Sequence, residues 1–219
     1  MAVSQPLKRG RPSTAKLSEQ NIAEAALDII DERGWSALTM NALATRLNVR
    51  APSLYHHIEG QHDLINLVRA LIVSEIETKS LASLDWEEAT RVFGMSYYRA
   101  FLAHPNAIQI LSVTPIDDRA TFQMYEAFLS ALDRAGWAAE RALEVLVGLE
   151  YLALGSAYEA NASELMLNAQ RAEDNGAPVL AKFLRARSES DSLVEEIFVH
   201  LLEDFIRMFK SERDRAASS

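Results

Sequence analysis

The sequence predicts an all-α protein, with an N-terminal three-helix unit carrying a helix-turn-helix followed by a larger helical domain. Apolar residues recur at i, i+3 and i+4 along nearly the whole chain, the periodicity of helices with one buried face. Gly and Pro number only 8 and 6 among 219 residues. With 49% hydrophobic and 24% charged residues, the chain has the composition of a soluble globular protein large enough for a substantial interior.

The helices follow in order. Ser18 is placed as an N-cap, with Leu17 and Ile22 as a hydrophobic staple. Ile22, Ala25, Ala26, Ile29 and Ile30 form the apolar stripe of the first helix, and Gly34 stops it. Thr39 caps a short second helix carrying Leu43, Ala44 and Leu47, where small Ala44 permits close helix approach. Asn48 falls where the chain must turn and tolerates a left-handed conformation. Ala51-Pro52-Ser53 opens a third helix, with Pro52 at N1, where its missing N–H costs nothing. A fourth helix is expected from Gln61 to Lys79. Further helices are expected over 86–103, 106–113, 118–135, 139–161 and 190–213, with 162–190 a loop around a short helix at 178–187.

The segment "ALEVLVGLEYLALGSAYEA" and the last helix, "DSLVEEIFVHLLEDFIRMFK", carry apolar faces wider than packing on one side requires. They can bury one side in their own core and the other against a second copy, so a homodimer is expected.

Net charge is −9 but unevenly spread. Residues 1–16 hold Lys8, Arg9, Arg11 and Lys16 and no acid, whereas the stretch beyond residue 63 carries the full −9. A basic arm on an acidic body points to an anion met by the N-terminal end. The absence of cysteine excludes disulfides and zinc-thiolate sites. No apolar run approaches the ~18–20 residues of a membrane span, and no apolar segment of a secretory signal follows the basic N-terminus, so a cytoplasmic protein with no membrane partner is expected.

"NVRAPSLYHHIEGQH", residues 48–62, holds three of the five histidines. Adjacent His56 and His57 point about 100° apart on a helix and have no acid at i+4, so no metal site is expected. A short surface helix also offers no cleft for catalysis; a partly buried histidine suits His56 better than its neighbour. DNA recognition explains more of the stretch. A third helix in a major groove would bring Arg50, Ala51, Pro52 and Ser53 to base edges, while Tyr55 and His57 meet phosphates. Leu54 and Ile58 would face the small core. "KRGRP", residues 8–12, looks like the core of an AT-hook, with Arg9 and Arg11 able to lie in a narrow minor groove.

The segment "ALTMNALATRLNVRAPSLYHHIEGQHDLI", residues 37–65, resembles the TetR family of bacterial transcriptional regulators. "WEEATRVFGMSYYRAFLAHP", "ALDRAGWAAERAL", "LALGSAYE" and the closing helix extend the likeness to the C-terminus. The resemblance implies a DNA-binding regulator, with contacts from Thr39, Asn41, Arg50, Ala51, Pro52, Ser53, Tyr55, His57 and Gln61. Asn41 departs from a base-reading arginine of the tetracycline repressor and Gln61 from a phosphate-binding lysine, which implies a different operator. It implies an effector site with Glu77, Phe93 and Leu111 in place of the family's polar ligands, with Tyr97 and Thr114 kept, and with Glu159 matching a glutamate that reaches in from the partner subunit. Leu111 stands where a metal-binding histidine would, so no metal or other cofactor is implied. Phe122, Phe128, Tyr151 and Leu154 complete a mainly apolar, aromatic-lined cavity for a small-molecule effector.

The division expected is a flexible basic arm (1–16), a helix-turn-helix domain (17–60), a ligand-binding and dimerisation domain (61–213) with 61–79 as linking helix, and a disordered tail (214–219). The function implied is a repressor released by its ligand from a palindromic DNA operator. An effector-independent architectural binder of A·T-rich DNA is the alternative. An enzyme is not expected: Glu159 has Ala162 where Glu-x-x-His spacing would need histidine, and Glu196–His200 is i+4 alone.

Overall fold

The computed structural model describes residues 17–161, 167–187 and 193–217. Arg9 and Arg11, with the rest of the basic arm, lie outside the described residues. Every regular element among those described is helical.

Helix α1 (Glu19–Arg33) starts where the Ser18 hydroxyl accepts the Asn21 N–H at 3.2 Å. It ends at Gly34, whose φ of 78° is a conformation suited to glycine. Its stripe of Ile22, Ala26, Ile29 and Ile30 is fully buried. A 3₁₀ turn (Trp35–Ala37) leads to α2 (Met40–Arg46), capped by the Thr39 hydroxyl accepting Ala42 N–H at 3.1 Å. Asn48 is left-handed, with φ 53°, and reverses the chain between α2 and α3 (Ala51–Leu54).

The third helix is shorter than expected. A single α-turn is followed by turns in which His57 and Ile58 N–H both donate to Leu54 C=O. Tyr55, His56 and His57 are weak helix formers, and Gly60 follows closely. Arg50 is the cap, so Pro52 occupies the second helical position, where its N–H is equally dispensable.

Helix α4 (Gln61–Val73) also ends before its expected limit. Ser74 Oγ donates to Leu71 C=O at 2.6 Å, competing for the helix ladder. The Glu77 carboxylate accepts Ser80 N–H at 2.9 Å, which opens a 3₁₀ turn (Ser80–Ala82). Helices α5 (Trp86–Ala103), α6 (Pro105–Leu111), α7 (Arg119–Arg134) and α8 (Ala139–Ala160) build the body. Two short helices, α9 (Ala169–Asp174) and α10 (Pro178–Arg187), occupy the segment expected to hold one. Helix α11 (Leu193–Ala217) extends past residue 213, so the tail expected as disordered begins as helix.

Helix α5 is central and packs on α8, α11 and α7. At Gly94 a Cβ would come within 3.0 Å of Leu149 and Leu202 methyls, so the glycine sets how closely these helices approach. Arg91 joins α5 to α11 through both oxygens of Glu203. The N-terminal helices join the body where α1 meets α4 and α6: His104 Nδ1 lies 2.8 Å from Asp31 Oδ2, and Asn106 donates to Asp31 C=O at 3.0 Å. One continuous apolar core runs from Ile22 to Phe209.

Candidate nucleic-acid interface and effector cavity

The turn at Asn48 presents α2 and α3 on one outer surface. Thr39, Asn41, Arg50, Pro52, Tyr55 and Gln61 are exposed, and Ala51, Ser53 and His57 are half-buried. Beneath them Leu54 and Ile58 are buried, as the alternation of faces requires. Tyr55 is 58% exposed although aromatic, and Arg50 has no ion-pair partner among the described residues. Asn41 lies in a shallow groove with Arg33, Thr45 and Arg46. Arg46, not anticipated as important, reaches Asp28 and Glu32 and fastens α2 to α1. His56 is exposed and His57 half-buried, the reverse of the burial expected for the pair. Among the described residues no cluster of His, Asp and Glu is arranged to hold a metal.

A cavity of about 360 Å³ lies between α4, α5, the α6–α7 connection, α7 and α8. Tyr97, Leu111, Thr114, Tyr151 and Leu154 are among the residues that line it. Phe93 and Phe128 are not: their rings stack on each other at 4.6 Å inside the core. Phe122 is 56% exposed, because neighbouring Thr121 takes the inward position and the next residue turns about 100° away. Glu77 is occupied in the loop after α4 and does not line the cavity; Glu159, expected to reach into the cavity of a partner subunit, sits half-buried on α8.

The residues not anticipated include the polar ones that give the cavity its character. Arg69 of α4 is buried, with its side chain 4% exposed. Its Nη1 donates to Asn66 Oδ1 at 2.5 Å and Pro115 C=O at 3.3 Å; its Nη2 donates to the carbonyls of Leu111 at 3.1 Å and Thr114 at 2.7 Å. Asp118 Oδ2 lies 3.8 Å away. Burial pulls the guanidinium below its ordinary pKa, and Asp118 opposes that pull. On the other side, Glu150 Oε1 accepts hydrogen bonds from Tyr97 at 2.8 Å and Tyr125 at 2.5 Å. Burial, then the Glu150 charge, raise both phenols above their ordinary range, so they remain neutral donors. A sequence signal existed for Arg69: it is the one cation within "LINLVRALIV", on the buried face.

An exposed polar-aromatic helix-turn-helix, joined by one helix to a helical body with a partly open cavity, is the architecture of a helical DNA-binding regulator. The profile described as bacterial regulatory proteins, tetR family, matches residues 22–66, and that of the tetracyclin repressor-like C-terminal domain matches residues 81–205. The chain belongs to the TetR family, whose members are DNA-binding transcription regulators and not enzymes. It is 26% identical over 203 residues to the class E tetracycline repressor protein of Escherichia coli, covering 91% of this chain and 94% of that one. A variant TetR of Acinetobacter baumannii AYE in complex with minocycline superposes with a TM-score of 0.67 at 25% identity, over 90% of this chain and 99% of its own. ActR of Streptomyces coelicolor in complex with (S)-DNPA shares the fold, with a TM-score of 0.73 at 23% identity, over 90% and 99%.

Proposed function

We propose that the protein is a homodimeric repressor that binds a near-palindromic operator and is released when a small, mainly apolar ligand enters the cavity. The observation that carries this reading is Arg69. It is a residue of α4, the helix that follows the DNA-contact surface, and it holds the carbonyls of Leu111, Thr114 and Pro115 in the cavity wall. A ligand that displaces this wall changes what α4 is fastened to. It shifts the equilibrium by the difference in its affinity for the two arrangements and by nothing else.

Residues 17–60 form the reading domain and residues 61–213 the ligand-binding and dimerisation domain. Arg50, Ala51, Pro52 and Ser53 face base edges, with Thr39 and Asn41 beside them, while Tyr55, His57 and Gln61 fix register on phosphates. Dimerisation uses the exposed apolar stripes of α8 (Leu143, Tyr151, Tyr158) and α11 (Leu201, Met208), each 44% exposed or more. Tyr151 and Leu154 also line the cavity, so a second copy seated on α8 would cover that rim. Leu111 supplies the wall with an apolar side chain and no metal ligand, which favours an effector bound without a metal. The repressor acts in the cytoplasm.

Selection of random duplex DNA by the purified protein at physiological salt tests the reading. The expected motif is a near-palindrome with half-site centres about 10 bp apart, one helical turn. Enrichment of A·T-rich sequence without symmetry would overturn it in favour of an architectural binder that reads through Arg9 and Arg11.

A further inference from the structure

We infer that the cavity takes a lipophilic cation, an aromatic or polycyclic molecule carrying a protonated amine, with the Glu150 carboxylate as its counter-ion. This rests on the reading of the cavity as the effector site and adds the charge of its occupant.

Among the described residues that line the cavity two are charged, Arg69 and Glu150, and they are engaged differently. The terminal nitrogens of Arg69 are held by three backbone carbonyls and Asn66 Oδ1, with Asp118 close by. A ligand carboxylate would have to break this set to reach the terminal nitrogens; Nε–H alone has no partner among the described residues, and it offers a single hydrogen bond. Glu150 is half free. Both tyrosine hydroxyls donate to Oε1, whereas Oε2 has no hydrogen-bond partner among the described residues and is not among the sealed polar atoms. Among the described residues no other side chain of the lining carries a charge that could compete for it.

The unmet requirement is therefore for a donor, and a cationic donor forms the stronger, shorter bond to a carboxylate. The rings of Tyr97, Phe101, Tyr125 and Tyr151 line the same space, and aromatic rings attract a cation that comes within reach of a face. Leu111, Ile116, Met124 and Leu154 accommodate an apolar frame. Together they offset the desolvation that an ammonium group meets on leaving water.

The test is calorimetric titration of the DNA-free protein at neutral pH with probes differing only in the polar group. These are 2-naphthylmethylammonium, 2-naphthylmethanol and 2-naphthoate, together with their anthracene counterparts. On at least one frame the ammonium should bind about tenfold or more tightly than the alcohol, with the carboxylate weakest. Glu150→Gln keeps an acceptor for both tyrosines; it should weaken the ammonium about tenfold or more and the alcohol by clearly less. A carboxylate bound as well as the ammonium overturns the inference. So does an ammonium affinity indifferent to Glu150→Gln, or no ammonium binding on either frame. The wild-type comparison needs no variant to fold. Because no DNA is present, a failed operator selection with the ammonium preference intact would fault the regulatory reading, whereas a clean palindrome without that preference would fault only the cation.

Discussion

Arg46 and Arg69 each fasten one helix to another part of the fold, in opposite surroundings. Arg46 reaches from α2 to Asp28 and Glu32 of α1, and all three side chains are open to water, at 30%, 64% and 54% exposure. Such pairs contribute little, because solvent screens them and long side chains must be ordered. The shape of the reading domain rests instead on apolar packing of Ile22, Ile29, Leu43 and Leu54, all fully buried. Arg69 is buried with Asp118, and its bonds to Asn66 and to the Leu111 carbonyl are buried with it. Its hydrogen bonds cannot be exchanged cheaply for hydration. The molecule thus joins a reading domain held by hydrocarbon to a cavity wall held by one polar group.

The largest effect should come from removing the buried cation. Arg69→Ala is expected to cost about 3–5 kcal/mol of stability in urea unfolding, the penalty for breaking a buried ionic network from one side. A loss no larger than that of a surface pair would erase the contrast. On the reading side, Arg50→Ala should relax discrimination by about 1–3 kcal/mol at one position per half-site, leaving the rest of the selected motif intact. An unchanged motif would remove Arg50 from base readout. Asn48→Val forces a β-branched residue into left-handed backbone and should cost roughly 1–2 kcal/mol, whereas Asn48→Gly should be tolerated in the same unfolding assay. The smallest effect belongs to Arg46→Ala, whose melting temperature should match the wild type. A substantial drop there would show that the exposed pair, not the apolar core, sets the angle between α1 and α2.

The two regions also differ in how far they could be read from residue order. The reading domain was legible because its determinants are local. Ser18 and Thr39 cap helices within their own turns, Gly34 and Asn48 take positive φ where the chain turns, and the buried stripe repeats over a few turns. The extent of α3 was not, because helix preference across Tyr55-His56-His57 is weak and the turns there depend on packing of Leu54 and Ile58. The cavity depends on which helices face each other. Periodicity marks Phe93 and Phe128 as inward, and it marks Tyr97 in the same way; only the fold shows the first two stacked and the third open to the cavity. The resemblance led to Tyr97, Leu111, Thr114, Tyr151 and Leu154, but it also carried Phe93 and Glu77, which lie elsewhere. Arg69 and Glu150 were missed because their partners are distant in sequence: Arg69 meets Leu111 to Pro115, and Glu150 meets Tyr97 and Tyr125.

Filling the cavity without a ligand gives the most direct test of whether it governs DNA binding. Leu111→Trp places an indole in the wall beside the carbonyl that Arg69 holds, on α6 and not on the helices assigned to dimerisation. The measurement is the operator dissociation constant of Leu111→Trp and wild type, with subunit stoichiometry and binding to unrelated duplex followed in parallel. Expected is a loss of operator affinity of about 5- to 150-fold, the usual range of coupling between two sites, with dimer mass and nonspecific binding unchanged. A filled cavity with operator affinity equal to wild type would contradict the coupling of cavity to reading domain through α4.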